Sequence, residues 1–309
     1  MSKSKKLREL LKQKKPLFIP GAYNAMTAQI LEMIGFDAVY VPGYGTSACL
    51  LGMTDVGLAT LPEMVMNARY ISNAVSLPAI ADADTGFGNA INVRRTVQEF
   101  IQAGIAGIHI EDQVMFKRCG HVAGKVLLPF EEAVGKIRAA HDMRNELDPD
   151  FLLIARTDAR GAAAGGIEEA IRRGNAYREA GADIVFVEGP TSEEEVRRFC
   201  QEINAPIFYN ATGVSPRFSL EQLGEMGVSV AIIPGAAMRV TARAVYDYFT
   251  QLKDKGLLFE AEWQDDFVAN HPLGDFHKFT GFPEIRKLEE KYLPEKEAQK
   301  YENSVGFKP

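Results

Sequence analysis

The sequence predicts a closed (β/α)8 barrel, the TIM-barrel architecture, with an N-terminal capping helix and a C-terminal helical extension. Three observations carry this. Eight short apolar runs alternate with helical patterns over about 240 residues, the size such a barrel needs. Asp82, Asp84, Glu111, Arg156, Glu188 and Asn210 all stand where an apolar run ends. No Gly-x-Gly-x-x-Gly follows the first run and no Walker glycine loop occurs, which counts against the runner-up, a doubly wound open sheet. In a barrel the chemistry sits at the carboxyl ends of the strands, so these polar residues should meet there.

The elements follow in order. Leu7, Leu10 and Leu11 recur at helical spacing among lysines, which predicts an amphipathic capping helix over 4–14. Leu17-Phe-Ile-Pro20 is the first strand, 24–35 a helix, and Ala38–Val41 the second strand, leaving through Pro42-Gly43-Tyr44-Gly45. A long connection containing Gly52-Met-Thr-Asp55 leads to a helix over 61–75. The third strand runs out into Asp82-Ala-Asp84-Thr-Gly-Phe-Gly88, and a helix over 91–103 follows. Strand four, 107–110, opens a loop carrying Lys117-Arg118-Cys119-Gly120-His121. Helix 130–145 precedes strand five, 151–155, whose exit is Arg156-Thr-Asp158. A helix from Ile167 ends at Gly181, strand six delivers Glu188, and the helix from Ser192 starts with acidic residues that suit its dipole. Ile207-Phe-Tyr209 leads to Asn210, 228–233 leads to Pro234-Gly235, and a helix over 236–253 completes the set. The whole reads as one barrel domain, 1–309, with 254–309 a helical tail. Its scattered aromatics, Trp263, Phe267, Phe276, Phe279 and Phe282, pack either on their own barrel or on another subunit.

Composition sets bounds. With 46% hydrophobic and 25% charged residues the chain can bury a large core, and a net charge of -6 favours neither nucleic acid nor an anionic membrane as partner. Three cysteines without framework or metal-ligand spacing, a charged start with no apolar run after it, and no stretch approaching ~18 apolar residues make the cytoplasm the expected compartment.

The chemistry concentrates in the pentapeptide. A thiol beside Lys117, Arg118 and His121 sits in positive potential, which should lower its pKa and make it an acid, base or nucleophile near neutrality; the bland reading is a solvated basic turn with an incidental thiol. Asp82 and Asp84 point to the same side and, with Glu111, offer hard oxygen ligands for Mg2+ or Mn2+, although Asp84 could equally cap the turn that follows it. Arg156 and the Lys117-Arg118 pair suit substrate carboxylates. His109 reads as a satisfied interior histidine and His121 as the functional one. Tyr40 is either a core aromatic with a bonded hydroxyl or a proton carrier, and Tyr44, in a glycine loop, is harder to explain by packing. Cys49 and Cys200 read as space-filling. A metal, anion clamps and one acidic thiol can hold a 2-oxo or 2-hydroxy carboxylate, stabilise charge as a carbon–carbon bond breaks, and protonate the fragment left behind. Covalent thiol catalysis would want a Cys-His-Asn alignment.

At Gly52-Met-Thr-Asp55, Asp82–Gly88, Ile110-Glu-Asp-Gln113, Lys117–His121 and Ala155–Asp158 the chain resembles the isocitrate lyase and phosphoenolpyruvate mutase superfamily, over about residues 5–255. The resemblance implies a Mg2+-dependent barrel, usually a homotetramer of helix-swapped pairs. It implies Asp84 as direct metal ligand, Asp55, Asp82 and Glu111 acting largely through water, and Cys119 as the acid of the lyase branch. Lys117, His121 and Tyr40 join Cys119 as catalytic candidates. Gly43, Tyr44, Arg156, Glu188, Asn210 and Arg239 fall on substrate-pocket positions, with Gly45, Arg118 and Gly120 beside them. Methylisocitrate lyases usually carry Asn-x-Thr-Glu-Phe-Gly after strand seven, where this chain has Asn210-Ala-Thr212-Gly213-Val-Ser-Pro216. Tyr44 replaces a glycine of the tricarboxylate lyases, so the chain is most similar to the 2,3-dimethylmalate lyase branch.

The expected activity is cleavage of a 2-hydroxy dicarboxylate into a 2-oxoacid and a carboxylate, with Tyr40 or a metal-linked water network as base. The rivals are oxaloacetate hydrolysis or decarboxylation, a carboxyphosphonoenolpyruvate or phosphonopyruvate mutase, and a non-catalytic binding barrel.

Overall fold

Each apolar run forms a strand: β1 (Leu17–Pro20), β2 (Val39–Val41), β3 (Ala79–Asp82), β4 (Gly107–Glu111), β5 (Leu152–Thr157), β6 (Ile184–Val187), β7 (Ile207–Asn210) and β8 (Val228–Ile233). In this computed structural model, which describes residues 1–301 and 304–308, the eight strands pair in parallel in one sheet, in chain order with β8 beside β1. The parallel bridge Gly21↔Tyr40 and a 2.8 Å hydrogen bond from the Ala22 N–H to the Tyr40 carbonyl join β1 to β2 and close the ring. Most strand residues are buried on both faces, which is why the strands read as continuous apolar runs instead of an alternation.

Around the ring lie α2 (Ala25–Ile34), α3 (Gly43–Thr46), α4 (Leu61–Ala74), α5 (Ala90–Gln102), α6 (Phe130–Leu147), α7 (Ile167–Glu179), α8 (Glu193–Glu202) and α9 (Leu220–Met226); α1 (Lys3–Leu10) precedes β1 and α10 (Ala236–Lys255) follows β8. Their limits follow local chemistry. Asn24 caps α2 by accepting the Thr27 N–H at 2.8 Å, and Thr60 with Glu63 forms a reciprocal capping box on α4. Inward-pointing Ile19, Ile80, Ile154, Phe186, Phe208 and Ile232 fill the barrel, and a second apolar layer lies between sheet and helices. Leu7 of α1 is fully buried in the interior cluster, so α1 plugs the amino-terminal end of the barrel. That helix stops at Leu10, short of the expected 14, as the chain turns through a run of exposed lysines toward Pro16.

The largest departure lies after β2. The glycine-rich stretch folds as α3 followed by one π-helical turn, Ser47–Leu51. Tertiary contacts hold it: Thr46 Oγ1 donates to the Pro42 carbonyl at 2.8 Å and receives Asn67 Nδ2 at 3.1 Å. Cys49 on this turn is exposed, so it fills no core space, contrary to the expectation.

The chain divides into two compact units, Met1–Val240 and Thr241–Pro309. The division falls inside α10, ahead of the tail start expected at 254. The second unit continues with α11 (Leu257–Asn270), α12 (Phe276–Phe279), α13 (Phe282–Tyr292) and α14 (Glu295–Ala298). Its aromatics pack in a chain, Tyr248 on Trp263 at 5.0 Å and Trp263 stacked on Phe267 at 5.1 Å between ring centres. Even so, α11 and α13 bury no residue, and Phe249, Leu257, Leu258, Ile285 and Tyr292 are exposed. Among the described residues no helix is long and apolar enough to cross a membrane.

Candidate active site

The carboxyl ends of the strands surround a cavity of about 290 Å³. Of the residues picked out in the sequence, Tyr40, Gly43, Tyr44, Gly45, Asp55, Asp82, Cys119, Gly120, His121, Arg156, Glu188, Asn210 and Arg239 line it. Lys117, Arg118, Asp84 and Glu111 do not. The first three of these follow a simple pattern: Arg118 is exposed, whereas Lys117 and Asp84 are buried beneath the cavity in an ion pair. Sequence reading passed over Phe186, Thr212, Gly213, Pro234 and Met238, which also line the cavity. For Thr212 and Gly213 the signal was their place directly after Asn210 at the end of β7.

Arg156 organises one wall. It makes a two-point ion pair with Asp158, Nε to Oδ2 at 3.0 Å and Nη2 to Oδ1 at 3.1 Å, and lies 3.3 Å from Glu111 and 3.4 Å from Glu188. Surrounded by carboxylates, it is held more firmly charged than an ordinary arginine in spite of its burial. Asp158 is fixed by Asp112, whose Oδ1 accepts its backbone N–H at 2.9 Å, and Asp112 in turn accepts from Thr157 and Tyr177, each at 2.7 Å.

Deeper in the barrel Tyr40 Oη lies 2.6 Å from His109 Nε2. Burial lowers the His109 pKa to about 4, so the imidazole is neutral and shares a hydrogen bond with the phenol. Burial likewise raises Tyr40 well above its usual range, so its hydroxyl stays protonated. His109 is therefore an interior histidine, as expected, and it orients a tyrosine that faces the cavity.

Cys119 departs from the expectation. Its thiol is raised above the ordinary value, chiefly by burial and also by the charge of Asp55, and the His121 backbone N–H, Arg156 and Lys117 only partly offset this. Neighbouring cations in the sequence do not act as neighbours in space: Arg118 points to solvent and Lys117 is spent on Asp55 and Asp84. A protonated thiol can give a proton; it is a poor base or nucleophile.

The segment bearing Cys119 is a hairpin-like loop, closed at its neck by the Gln113↔Leu127 bridge and by Gln113 bonding both the N–H and the carbonyl of Arg118, at 2.9 and 2.8 Å. Lys125 donates to the Gly120 carbonyl and lies 3.7 Å from Asp158. Gly120 is packed so tightly that a Cβ there would come within 2.3 Å of Arg156 Nη2 and 2.4 Å of Glu188 Cγ.

Asp84 adopts φ +46°, a left-handed conformation that aspartate tolerates better than most residues, held by its N–H bonding Asp82 Oδ1 at 2.9 Å and its carbonyl accepting the Glu111 N–H at 2.9 Å. Six buried carboxylates, Asp55, Asp82, Asp84, Glu111, Asp158 and Glu188, here face three buried cations, Lys117, Lys125 and Arg156. Burial, reinforced by Asp82 and Asp55 and opposed by Lys117, pushes Asp84 up to about 6, and burial pushes Glu111 up as well. Asp84 Oδ1 and Glu111 Oε2 are buried without a well-aligned hydrogen bond. This charge deficit and the all-oxygen donor set fit a hard divalent cation. Among the described residues no three such groups converge on one point, because the Lys117 ammonium stands between Asp55 and Asp84.

The geometry has close counterparts. Residues 7–253 match the phosphoenolpyruvate phosphomutase family. The chain is 46% identical to 2,3-dimethylmalate lyase of Eubacterium barkeri over 94% of its own length and 99% of the relative's, and 44% identical to 2-methylisocitrate lyase of Aeropyrum pernix over 91% and 88%. Among solved structures, 2,3-dimethylmalate lyase superposes with TM-score 0.88 at 35% identity over 99% of both chains. Oxaloacetate acetylhydrolase with 3,3-difluorooxalacetate gives 0.85 at 34%, covering 94% and 97%. Phosphonopyruvate hydrolase with oxalate and Mg2+ gives 0.83 at 30%, covering 95% and 100%. The chain belongs to the phosphoenolpyruvate phosphomutase family, within the superfamily that includes isocitrate lyase.

Proposed function

We propose that this family member is a carbon–carbon lyase that cleaves a 2-hydroxy dicarboxylate the size of a substituted malate, such as 2,3-dimethylmalate, into a 2-oxoacid and a carboxylate. The observation that carries the reading is the Cys119 thiol, which burial favours in its protonated form, lining the same small cavity as Arg156, Asp55 and Asp82. The similarity to lyases along nearly the whole chain supports the reaction class. The half-exposed Tyr44 on the cavity wall supports a substrate smaller than a tricarboxylate.

Arg156 holds the carboxylate of the 2-oxoacid half, and Asn210 orients the other carboxylate. Asp55, Asp82, Asp84 and Glu111 would hold a divalent cation, Mg2+ or Mn2+, which when bound would supply Lewis-acid stabilisation of negative charge. The hydroxyl proton passes to a water network at the carboxylate cluster, the remaining candidate base, and the oxygen forms a carbonyl. The bond to the adjacent carbon breaks, its electron pair spreads into the neighbouring carboxylate, and Cys119 delivers a proton to that carbon. The proton lost from the hydroxyl finally replaces the one the thiol gave. Tyr40, kept protonated by burial and oriented by His109 2.6 Å away, faces the developing charge as a hydroxyl and is no base.

The test is a screen of 2-hydroxy and 2-oxo dicarboxylates with Mg2+, following 2-oxoacid release. Release from a substituted malate, abolished by EDTA and restored by Mg2+, is expected; activity indifferent to chelation removes the metal from the scheme. The likeness to oxaloacetate acetylhydrolase favours one second reading, hydrolysis of oxaloacetate, which oxalate and acetate as products would reveal. The exposed apolar residues of the second unit support a homotetramer with exchanged tail helices, which light scattering of the purified protein checks.

A further inference from the structure

We propose that Gly213 is the seat on which the Cys119 loop locks, through His121, and that it thereby positions the thiol. A Cβ built at Gly213 would fall 2.2 Å from His121 Cγ, 2.3 Å from Nδ1 and 2.5 Å from Cδ2, so the imidazole lies directly on the glycine's missing side chain. A real Cβ essentially never comes so close, and the atoms met belong to the ring itself, so the whole imidazole would have to move. Gly213 also has φ +65°, a left-handed conformation that disfavours most other residues.

The seat has a defined polarity. Thr212 Oγ1 donates to Asn210 Oδ1 at 2.7 Å, which turns the Asn210 amide so that Nδ2 faces His121 Nε2 at 3.0 Å. Glu188 Oε1 lies 3.6 Å from the same nitrogen. The loop's polar attachments through Gln113, Lys117 and Lys125 reach β4, the connection after β2, the exits of β3 and β5, and the loop itself; His121 reaches the exit of β7. The consequence reaches the reacting group, because His121 lies two residues from Cys119 on the same loop, and the turn between them is closed by the Val122 N–H bonding the Cys119 carbonyl at 2.8 Å. Lifting the ring off residue 213 moves this turn and with it the thiol.

The catalytic meaning rests on Cys119 being the proton donor, but the contact is tested without activity, so the two can fail separately. The first measurement is the alkylation rate of Cys119 by iodoacetamide in the full-length protein, read by mass spectrometry, with Cys49 and Cys200 as internal references. Gly213→Ala is expected to raise the Cys119 rate at least ten-fold and leave the reference rates unchanged. Gly213→Asn, whose side chain tolerates the left-handed backbone, separates the clash from backbone strain and should behave like Gly213→Ala; it carries the test if the alanine variant folds poorly. In a His121→Ala background the substitutions at 213 should add less than two-fold, the coupling expected of residues in direct contact. Once turnover is established, kcat should fall more than KM rises. Parent-like alkylation in Gly213→Asn, or an equal effect with and without His121, overturns the proposal.

Discussion

The two ends of the barrel are built on opposite principles. At the amino-terminal end Leu7 of α1 enters an interior made of Leu17, Ile19, Leu152 and Ile184, all apolar. At the carboxyl end the same strands finish in Asp82, Glu111, Arg156, Glu188 and Asn210, and six carboxylates share three cations. Burial of apolar surface stabilises the first end, whereas at the second, buried like charges cost stability and are retained for chemistry. The barrel walls between them let one end be altered with little effect on the other.

Substitutions can break this comparison. The largest effect belongs to Cys119→Ser, which should lower 2-oxoacid release by about 10²–10⁴-fold, the contribution of a positioned acid, and leave the thermal midpoint unmoved. Arg156→Gln should follow, with a loss of about 10²–10³-fold in kcat/KM and a destabilisation of about 3–5 kcal/mol, because Asp158, Glu111 and Glu188 lose their shared buried partner. At the other end Leu7→Ala should cost about 2–4 kcal/mol in denaturant unfolding and leave kcat within two-fold. Tyr177→Phe, which removes the 2.7 Å hydrogen bond to Asp112, should cost about 1–2 kcal/mol and lower activity only through Asp158. Lys12→Ala, which breaks an exposed pair with Glu9, should change stability by less than about 0.5 kcal/mol. A stability loss in Cys119→Ser rivalling that of Leu7→Ala would erase the distinction between the ends.

The strands were legible because parallel strands buried on both faces leave unbroken apolar runs, and the cavity was legible because polar residues at their ends have no other role in such runs. Three features were hidden, each for a physical reason. Residues 43–51 are helical because Asn67 and the Pro42 carbonyl hold Thr46, contacts that local propensity does not contain. The Cys119 pKa has the sign opposite to that suggested by Lys117 and Arg118, because sequence adjacency does not reveal that one points to solvent and the other is neutralised beneath the cavity. The pairing of Lys117 with Asp55 and Asp84 could not be foreseen either: the motif that supplies the thiol also supplies a cation to the carboxylates read as metal ligands.

The central claim is that the fold keeps the Cys119 thiol protonated at the cavity wall, ready to donate. Measuring its alkylation rate against pH by mass spectrometry tests this directly. The account predicts a titration midpoint above the usual thiol range of about 8.5; a midpoint at or below neutrality would mean a resting thiolate and would contradict it.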